Sequence, residues 1–385
     1  MSQDHAGDYF FRYNRLRHVR QKSRSAVSPK MSVIVCSLNG AHGVDRCLRA
    51  LAAQTIYSSL ELIVVDDGST DATSEVGRSH AATVVRHSTN LGLAAARNSG
   101  LAVASAPVVA FLDDDCEPEP VWAEQLFTRY QKGVLGVGGP ILPATRPGFA
   151  FGYLKRNNPL KPQEANLAKA DDIRYRLGLY LRRQWAAPGE DLSQREVYSF
   201  AGANMSFLRQ ALVQVGQFDE RFRFGGEELD LCMRIRRAFP SDQLVFIPQA
   251  QVLHHFKPSM RDVLRRSRAY GRGSARLYRK WPSMPPTFFP GPLLVLTILL
   301  LSRRYRILTV AAAAFPHLLY PKGWRLAISS RSWASLLDAY VLLAQETCGN
   351  VGFLEGLWLF RHLVPEAGTE AVHAAEPWKR TGPVP

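Results

Sequence analysis

Cysteine is scarce and unpatterned. The five in 385 residues are Cys36, Cys47, Cys116, Cys232 and Cys348, and no two stand in C-x-x-C spacing. That argues against a disulfide framework and a thiolate zinc site, and makes a reducing, cytosolic setting the expectation. No apolar stretch follows the N-terminal charges, so no secretory signal is read. Long apolar runs are missing as well. Residues 288–301 and 307–320 are interrupted by Pro290, Pro292 and Pro316, and each falls short of the ~20 residues a bilayer span requires. No internal repeat is found, which argues against a solenoid. Acid is in deficit: 33 Asp+Glu stand against 48 Lys+Arg, a formal net charge of +15.

What is present describes a globular chain. Hydrophobic residues make up 46% and charged residues 21%, too apolar for intrinsic disorder. A mean hydropathy of -0.13 argues against a polytopic membrane protein. The length suits one catalytic-size domain plus an extension. A pI near 9.8 asks for an anionic partner: nucleic acid, lipid or a phosphorylated substrate. Two segments account for the whole excess. Arg12–Lys30 holds seven basic residues and no acid, and Lys257–Lys280 holds nine against Asp262 alone. The second places Val263, Leu264, Tyr270, Leu277, Tyr278 and Trp281 among its arginines and runs on into apolar sequence. That is the pattern of a helix on an anionic membrane surface, and it disfavours nucleic acid as partner. The excess charge therefore reads as a membrane address, separate from the chemistry.

From Met31 the pattern becomes regular. Buried-strand runs at Met31–Cys36, Leu60–Val65, Ala82–Arg86 and Val108–Leu112 alternate with helical patterns at 45–54, 70–80 and 93–104. This predicts an α/β fold with a mostly parallel, helix-covered sheet. Such sheets bind ligands beyond the carboxyl ends of their strands. Three of those ends are polar or acidic: Ser37-Leu38-Asn39, Asp66-Asp67 and Asp113-Asp114-Asp115. Further on, strands are expected at 135–141, 198–207, 243–247 and 251–255, and helices at 209–215, 227–238 and 261–280. Residues 143–188 give no assignment.

Adjacent carboxylates repel one another unless a cation relieves them, and carboxylate oxygens suit Mg²⁺ or Mn²⁺, which in turn hold a diphosphate. A solvated acidic turn is the plainer reading of the triplet by itself. Arg97, one to two turns into a helix opened by Gly92, is placed to meet a phosphate or base. At 227–230, Glu-Glu-Leu-Asp either forms the acidic first turn of a helix or supplies a general base.

Seven segments in order resemble family 2 glycosyltransferases: SVIVCSLNG (32–40), VVDDGSTD (64–71), NLGLAAARNSGL (90–101), FLDDDCEP (111–118), FAGANMSFLRQAL (200–212), VGQFDERF (215–222) and GGEELDLCMRIR (225–236). The resemblance implies a GT-A fold and an inverting, metal-dependent enzyme. It implies a nucleotide-diphosphate sugar donor, with UDP or GDP as the nucleotide. It places Ser37, Asn39, Asp67 and Arg97 in donor binding. It reads Asp113 and Asp115 as the ends of a D-x-D motif, with Asp115 the expected Mn²⁺ or Mg²⁺ ligand. Asp113 or Asp114 then takes the ribose. His254, with His255 as understudy, is the candidate to complete the metal shell. Glu228 stands where the family carries its base, with Asp230 and Glu227 as neighbours. Trp185, Tyr198 and Phe200 are a candidate sugar-stacking surface.

The expected organisation is a basic arm (1–30), a GT-A domain (31–256), an amphipathic and hydrophobic helical membrane-associated region (257–365) and a loose tail (366–385). The expected acceptor is a lipid-linked or cell-envelope glycan. The expected location is the cytoplasmic face of the membrane, peripheral or monotopic. The alternative is a non-catalytic nucleotide-sugar- or glycan-binding scaffold, which has no need of both D-x-D and the carboxylates at 227–230.

Overall fold

Four apolar runs build one half of the sheet. β1 (Met31–Ser37), β2 (Leu60–Asp66), β3 (Thr83–Arg86) and β4 (Val108–Asp113) lie parallel in the order β3-β2-β1-β4. They are linked by α1 (Ala41–Ala52), α2 (Thr73–Ser79) and α3 (Leu93–Val103). All seven residues of β1 are buried, as expected of a strand covered on both faces. Val33 and Val35 face the cluster of Leu48, Leu51 and Trp122, while Ile34 faces Leu101, Phe111 and Phe207. The computed structural model describes residues 28–164, 173–185, 193–257, 259–281, 288–302, 304–305, 307–363 and 365. Most of the expected arm and the whole expected tail lie outside them.

The second half mixes directions. β5 (Cys116–Pro118), α4 (Trp122–Phe127), β6 (Val134–Gly138), β7 (Ile141–Pro143), α5 (Phe149–Arg156), β8 (Gln163–Glu164) and α6 (Ile173–Trp185) come first. Then follow β9 (Arg195–Ser199), β10 (Asn204–Leu208), α7 (Arg209–Gln214), α8 (Glu227–Ala238), β11 (Gln243–Phe246) and β12 (Val252–His254). The main sheet runs β3-β2-β1-β4-β10-β6-β11-β9-β8, and β5-β12-β7 form a small second sheet. Two expected strands are each divided. Residues 135–141 break between β6 and β7 at Gly139-Pro140, where Pro140 has no N–H for a ladder. Residues 198–207 break at Phe200–Ala203, and Asn204 holds that corner. Its side chain accepts from Trp122 Nε1 (2.9 Å) and donates to the carbonyls of Pro140 (3.2 Å) and Ala250 (2.8 Å).

The C-terminal part is helical: α9 (Met260–Lys280), α10 (Pro290–Ser302), α11 (Ile307–Leu319), α12 (Lys322–Ser330) and α13 (Asp338–Leu359). α9 and α13 cross at backbone distance. A Cβ on Gly352 would collide with the Arg268 carbonyl oxygen, and one on Gly271 with that of Gly349. The unassigned stretch proves partly helical and docks here. Arg156 of α5 makes two bonds of 2.7 Å to Asp338, and Tyr180 of α6 donates to Glu346 (2.9 Å), as does Tyr320 (2.7 Å).

The basic face of α9 departs from expectation. Arg265 and Arg266 pair with Asp262, Arg268 and Arg272 with Glu355, and Lys280 with Asp219 and Asp230. Much of its charge is thus met by acids of the protein. No helix among the described residues is long and apolar enough to cross a membrane.

Candidate active site

Parallel pairing in register brings the polar strand ends together. Ser37 lies beside Asp66, and Cys36 beside Asp113. The Ser37 hydroxyl donates to Asp114. Asn39 ties the β1 end to the β2 loop: its carboxamide oxygen accepts from the Thr70 N–H (2.8 Å), and its own N–H donates to Ser69 Oγ (2.8 Å). Asp67 accepts from the N–H groups of Leu91 (2.8 Å) and Gly92 (2.9 Å), and its Oδ1 lies 2.7 Å from His87 Nδ1. Both Asp67 oxygens therefore pin the loop ahead of α3. His87 has no distinguishing sequence signal; a lone histidine after a short strand points nowhere in particular.

The acidic triplet caps β4, and antiparallel pairing of β12 with β5 sets His254 opposite Cys116. Asp115 Oδ1 and His254 Nε2 are 3.2 Å apart. Potential ligand atoms of Asp115, Cys116 and His254 all lie within 4.8 Å of one another. Burial pushes the Cys116 thiol well above its ordinary pKa, and it donates to the Ala203 carbonyl, so it is a poor ligand for a hard cation. Burial, with the charges of Arg266 and His255, holds His254 down at about 3, leaving a neutral imidazole. His255 turns the other way, to Glu117 (2.6 Å) and Arg146 (3.0 Å). Of the two histidines, His254 is the one brought to the triplet.

Burial raises all three carboxyls, helped by the charge of Glu227 at Asp113 and by neighbouring acids of the triplet at Asp114 and Asp115. Asp114 is pushed up to about 6 and Asp115 to about 8, and Asp113 also rises. A carboxylate and a neutral imidazole, beside acids that repel one another, fit a divalent cation such as Mn²⁺.

The opposite wall starts from a turn only glycine adopts freely. Gly225 and Gly226 have φ of +92° and +96° and launch α8, whose first turn carries Glu227 and Glu228. Glu227 is buried and accepts from Arg97 Nη1 at 2.8 Å. Arg97 is 2% exposed, and its Nη2 reaches the Gly202 carbonyl (3.0 Å) and Asp113 (3.5 Å). One buried guanidinium thus bridges the triplet and α8. Glu228 is half-buried and makes no ion pair among the described residues; burial and Glu227 push it up to about 8.

Some expected members are not gathered into the site. Asp230 is completely buried against Lys280 (2.7 Å), Arg234 (2.9 Å) and Trp281 Nε1 (2.8 Å), fastening α8 to the end of α9. Phe200 packs on Phe207 in the core, Arg236 covers Tyr198, and Trp185 stands exposed beside Arg325. Those three aromatics form no common surface. Conversely, Tyr270 and Arg266 of α9 join the site. Tyr270 lies against Gly225, and the charge of Arg266 acts on Asp113 and Asp115. Nothing in the sequence indicates which face of α9 meets the acids.

The family model described as glycosyl transferase family 2 matches residues 32–212. Residues 32–212 thus match a family 2 glycosyltransferase domain, a little under half of the chain. A second model, glycosyl transferase family group 2, matches residues 181–337 and so continues across α9. The pre-mycofactocin glycosyltransferase of Mycobacterium tuberculosis is 28% identical over 263 residues, 66% of this chain and 48% of that protein. The validoxylamine A glucosyltransferase of Streptomyces hygroscopicus subsp. jinggangensis is 31% identical over 225 residues, 54% and 51% of the two. The chain spans about half the length of these curated relatives. Among solved structures, the mannosyltransferase PcManGT from Pyrobaculum calidifontis, in complex with GDP-Man and Mn²⁺, covers 91% of this chain and 94% of its own. Its TM-score is 0.50 at 20% identity. That likeness supports the GT-A-like α/β fold of the family 2 domain.

Proposed function

We propose that the protein is an inverting glycosyltransferase that moves a sugar from a UDP- or GDP-sugar to an acceptor hydroxyl. The observation that carries this is the Arg97 bridge. It ties a D-x-D carboxylate, Asp113, to the first turn of the helix that carries Glu228, so that donor-side acids and a raised carboxyl flank one buried guanidinium. Asp115 and His254 are the residues that would hold Mn²⁺ or Mg²⁺, which when bound neutralises diphosphate charge. Ser37, Asn39 and the Asp67-pinned loop shape the nucleotide end. The acceptor oxygen attacks the anomeric carbon from the face opposite the diphosphate, and Glu228 takes its proton. The bond from that carbon to the β-phosphate oxygen breaks, and the electron pair leaves with the nucleoside diphosphate.

A panel of UDP- and GDP-sugars with Mn²⁺, read first by thermal shift and then by release of nucleoside diphosphate, tests this reading. Donor binding without transfer to any hydroxyl acceptor would favour the scaffold alternative. The proposed acceptor is lipid-linked or a cell-envelope glycan, and the proposed location is the cytoplasmic face of a membrane, peripheral or monotopic. Support for both comes from α10. Leu293, Leu294, Leu296, Leu299, Leu300 and Leu301 are 44–52% exposed there, on a helix ~20 Å long at 1.5 Å per residue, too short to span.

A further inference from the structure

Arg276, near the end of α9, is the odd member of that basic helix. Its guanidinium packs on two rings, with its carbon 5.0 Å from the Phe222 centroid and 5.1 Å from that of Phe360. It is 6% exposed, yet it makes no hydrogen bond or ion pair among the described residues, and its Nε is sealed from solvent without an acceptor. The acids whose charge reaches it, Asp219 and Asp230, are committed elsewhere. Lys280 takes both, at 3.0 and 2.7 Å, while Arg221 binds Asp219 at 2.7 Å and Arg234 binds Asp230 at 2.9 Å. Burial accordingly holds Arg276 below the ordinary arginine range. A buried guanidinium without a counter-ion is unfavourable, and an anion from outside the chain would relieve it. There is room for one. Arg276 lines a cavity of about 470 Å³ together with Arg221, Leu359, Phe360, His362 and Leu363. No acid stands in that lining, and none of these residues belongs to the carboxylate cluster around Asp113.

We propose that this cavity is a second anion site, outside the donor cleft, which takes a phosphate group on Arg276 with Arg221 and His362 at its rim. The inference goes beyond the donor reading and does not depend on it. A guanidinium offers a planar fork of donors that pairs with two oxygens of one phosphate, and packing against Phe222 and Phe360 restricts where that fork can swing. The exposed imidazole of His362 can add an N–H. Leu359 and Leu363 make the rest of the wall apolar, and the neighbouring Trp358 is 65% exposed at the end of α13. One chemistry thus has two sources: a free phosphate, or the headgroup of a phospholipid whose chains lie along those leucines. A phosphate held there would tie together the loop ahead of the Gly225-Gly226 turn, α9 and the end of α13.

The test uses the full chain in EDTA, where the metal-free acids of the donor cleft repel phosphate. Inorganic phosphate and monomeric dihexanoyl phosphatidic acid are titrated separately by calorimetry. The wild type is expected to bind at least one of them, and Arg276→Met to weaken that binding tenfold or more. Arg276→Lys keeps the charge but loses the fork, and is expected to fall between. Arg265→Ala, elsewhere on α9, is expected to bind like the wild type. A tenfold or greater preference for the phosphatidic acid identifies a lipid headgroup as the source, and a smaller one identifies free phosphate. With Mn²⁺ restored, Arg276→Met should keep the affinity of the wild type for UDP or GDP within twofold. Melting temperatures are taken in parallel; should Arg276→Met unfold, His362→Ala at the exposed rim carries the test, with a threefold or greater loss. A wild type that binds neither probe, or a folded variant that binds both unchanged, would overturn the site. Equal losses of phosphate and nucleotide would overturn its separation from the donor cleft. A wild type that binds phosphate but neither UDP nor GDP would sink the donor reading and leave this one standing.

Discussion

Glu228 is the residue on which the proposed chemistry turns. A carboxyl pushed up to about 8 by burial and by Glu227 is protonated below that pH and cannot accept a proton. The rate of transfer is therefore expected to rise with pH through a limb near 8, as read from initial rates at saturating donor. Glu228→Gln should remove that limb and lower kcat by ~10²–10⁴-fold, the usual share of a general base, with donor affinity kept. An unchanged rate would exclude Glu228 as the base. Asp230, two positions on, should behave differently. It is a buried partner of Lys280 and Arg234, and stripping one side from such a pair costs ~3–5 kcal/mol. Asp230→Ala should thus appear first as lost stability in urea unfolding. At the metal side, Asp115→Ala should abolish the rise in melting temperature that Mn²⁺ and nucleotide give the wild type; a bound ligand at 100 times its Kd stabilises by ~2.7 kcal/mol. An undiminished rise in the variant would remove Asp115 from the metal site.

Among the elements, α9 does more than its sequence advertises. One side is pressed against α13 through Gly271, Gly349 and Gly352, the other against the Gly225-Gly226 turn that aims α8. Overpacking that crossing should disturb both sides at once. Gly352→Leu is expected to cost ~1–3 kcal/mol by denaturant unfolding, and to weaken donor binding through displacement of Arg266 and Tyr270. Loss of stability with donor affinity unchanged would show that α9 is only a strut. The strands β1, β2 and β4 are simpler. Each is a locally complete signal, a β-branched run ending in a polar turn, and each forms within one residue of where its sequence places it.

For the molecule as a whole, the question is what the leucine-rich surface of α10 meets. Val310 and Leu318 on α11 and Trp324 and Ile328 on α12 are exposed as well. Such area is unusual on a free surface. The chain is expected to co-sediment with vesicles containing phosphatidylserine, and Leu296→Ser with Leu300→Ser should reduce the bound fraction several-fold without altering nucleotide affinity. Binding unaffected by those changes would place the contact elsewhere. Because five basic residues of α9 are paired with Asp262, Glu355, Asp219 and Asp230, raised salt should weaken the association less than +8 unpaired charges would demand.

The strand-end acids, the alternation of strand and helix and the Glu227-Glu228 turn were legible in the sequence, because each is decided by neighbours within a dozen residues. The stretch 143–188 was not, since α5 and α6 owe their places to Asp338 and Glu346, more than 160 residues away. Tertiary structure alone chose His254 over His255, spent Arg97 inside the protein, turned Asp230 away and brought Arg266 to the triplet. The physical reason is the same in each case. A residue's type and spacing set what it is able to do, but the direction of its side chain and the charges it meets are set by packing between elements distant in the chain.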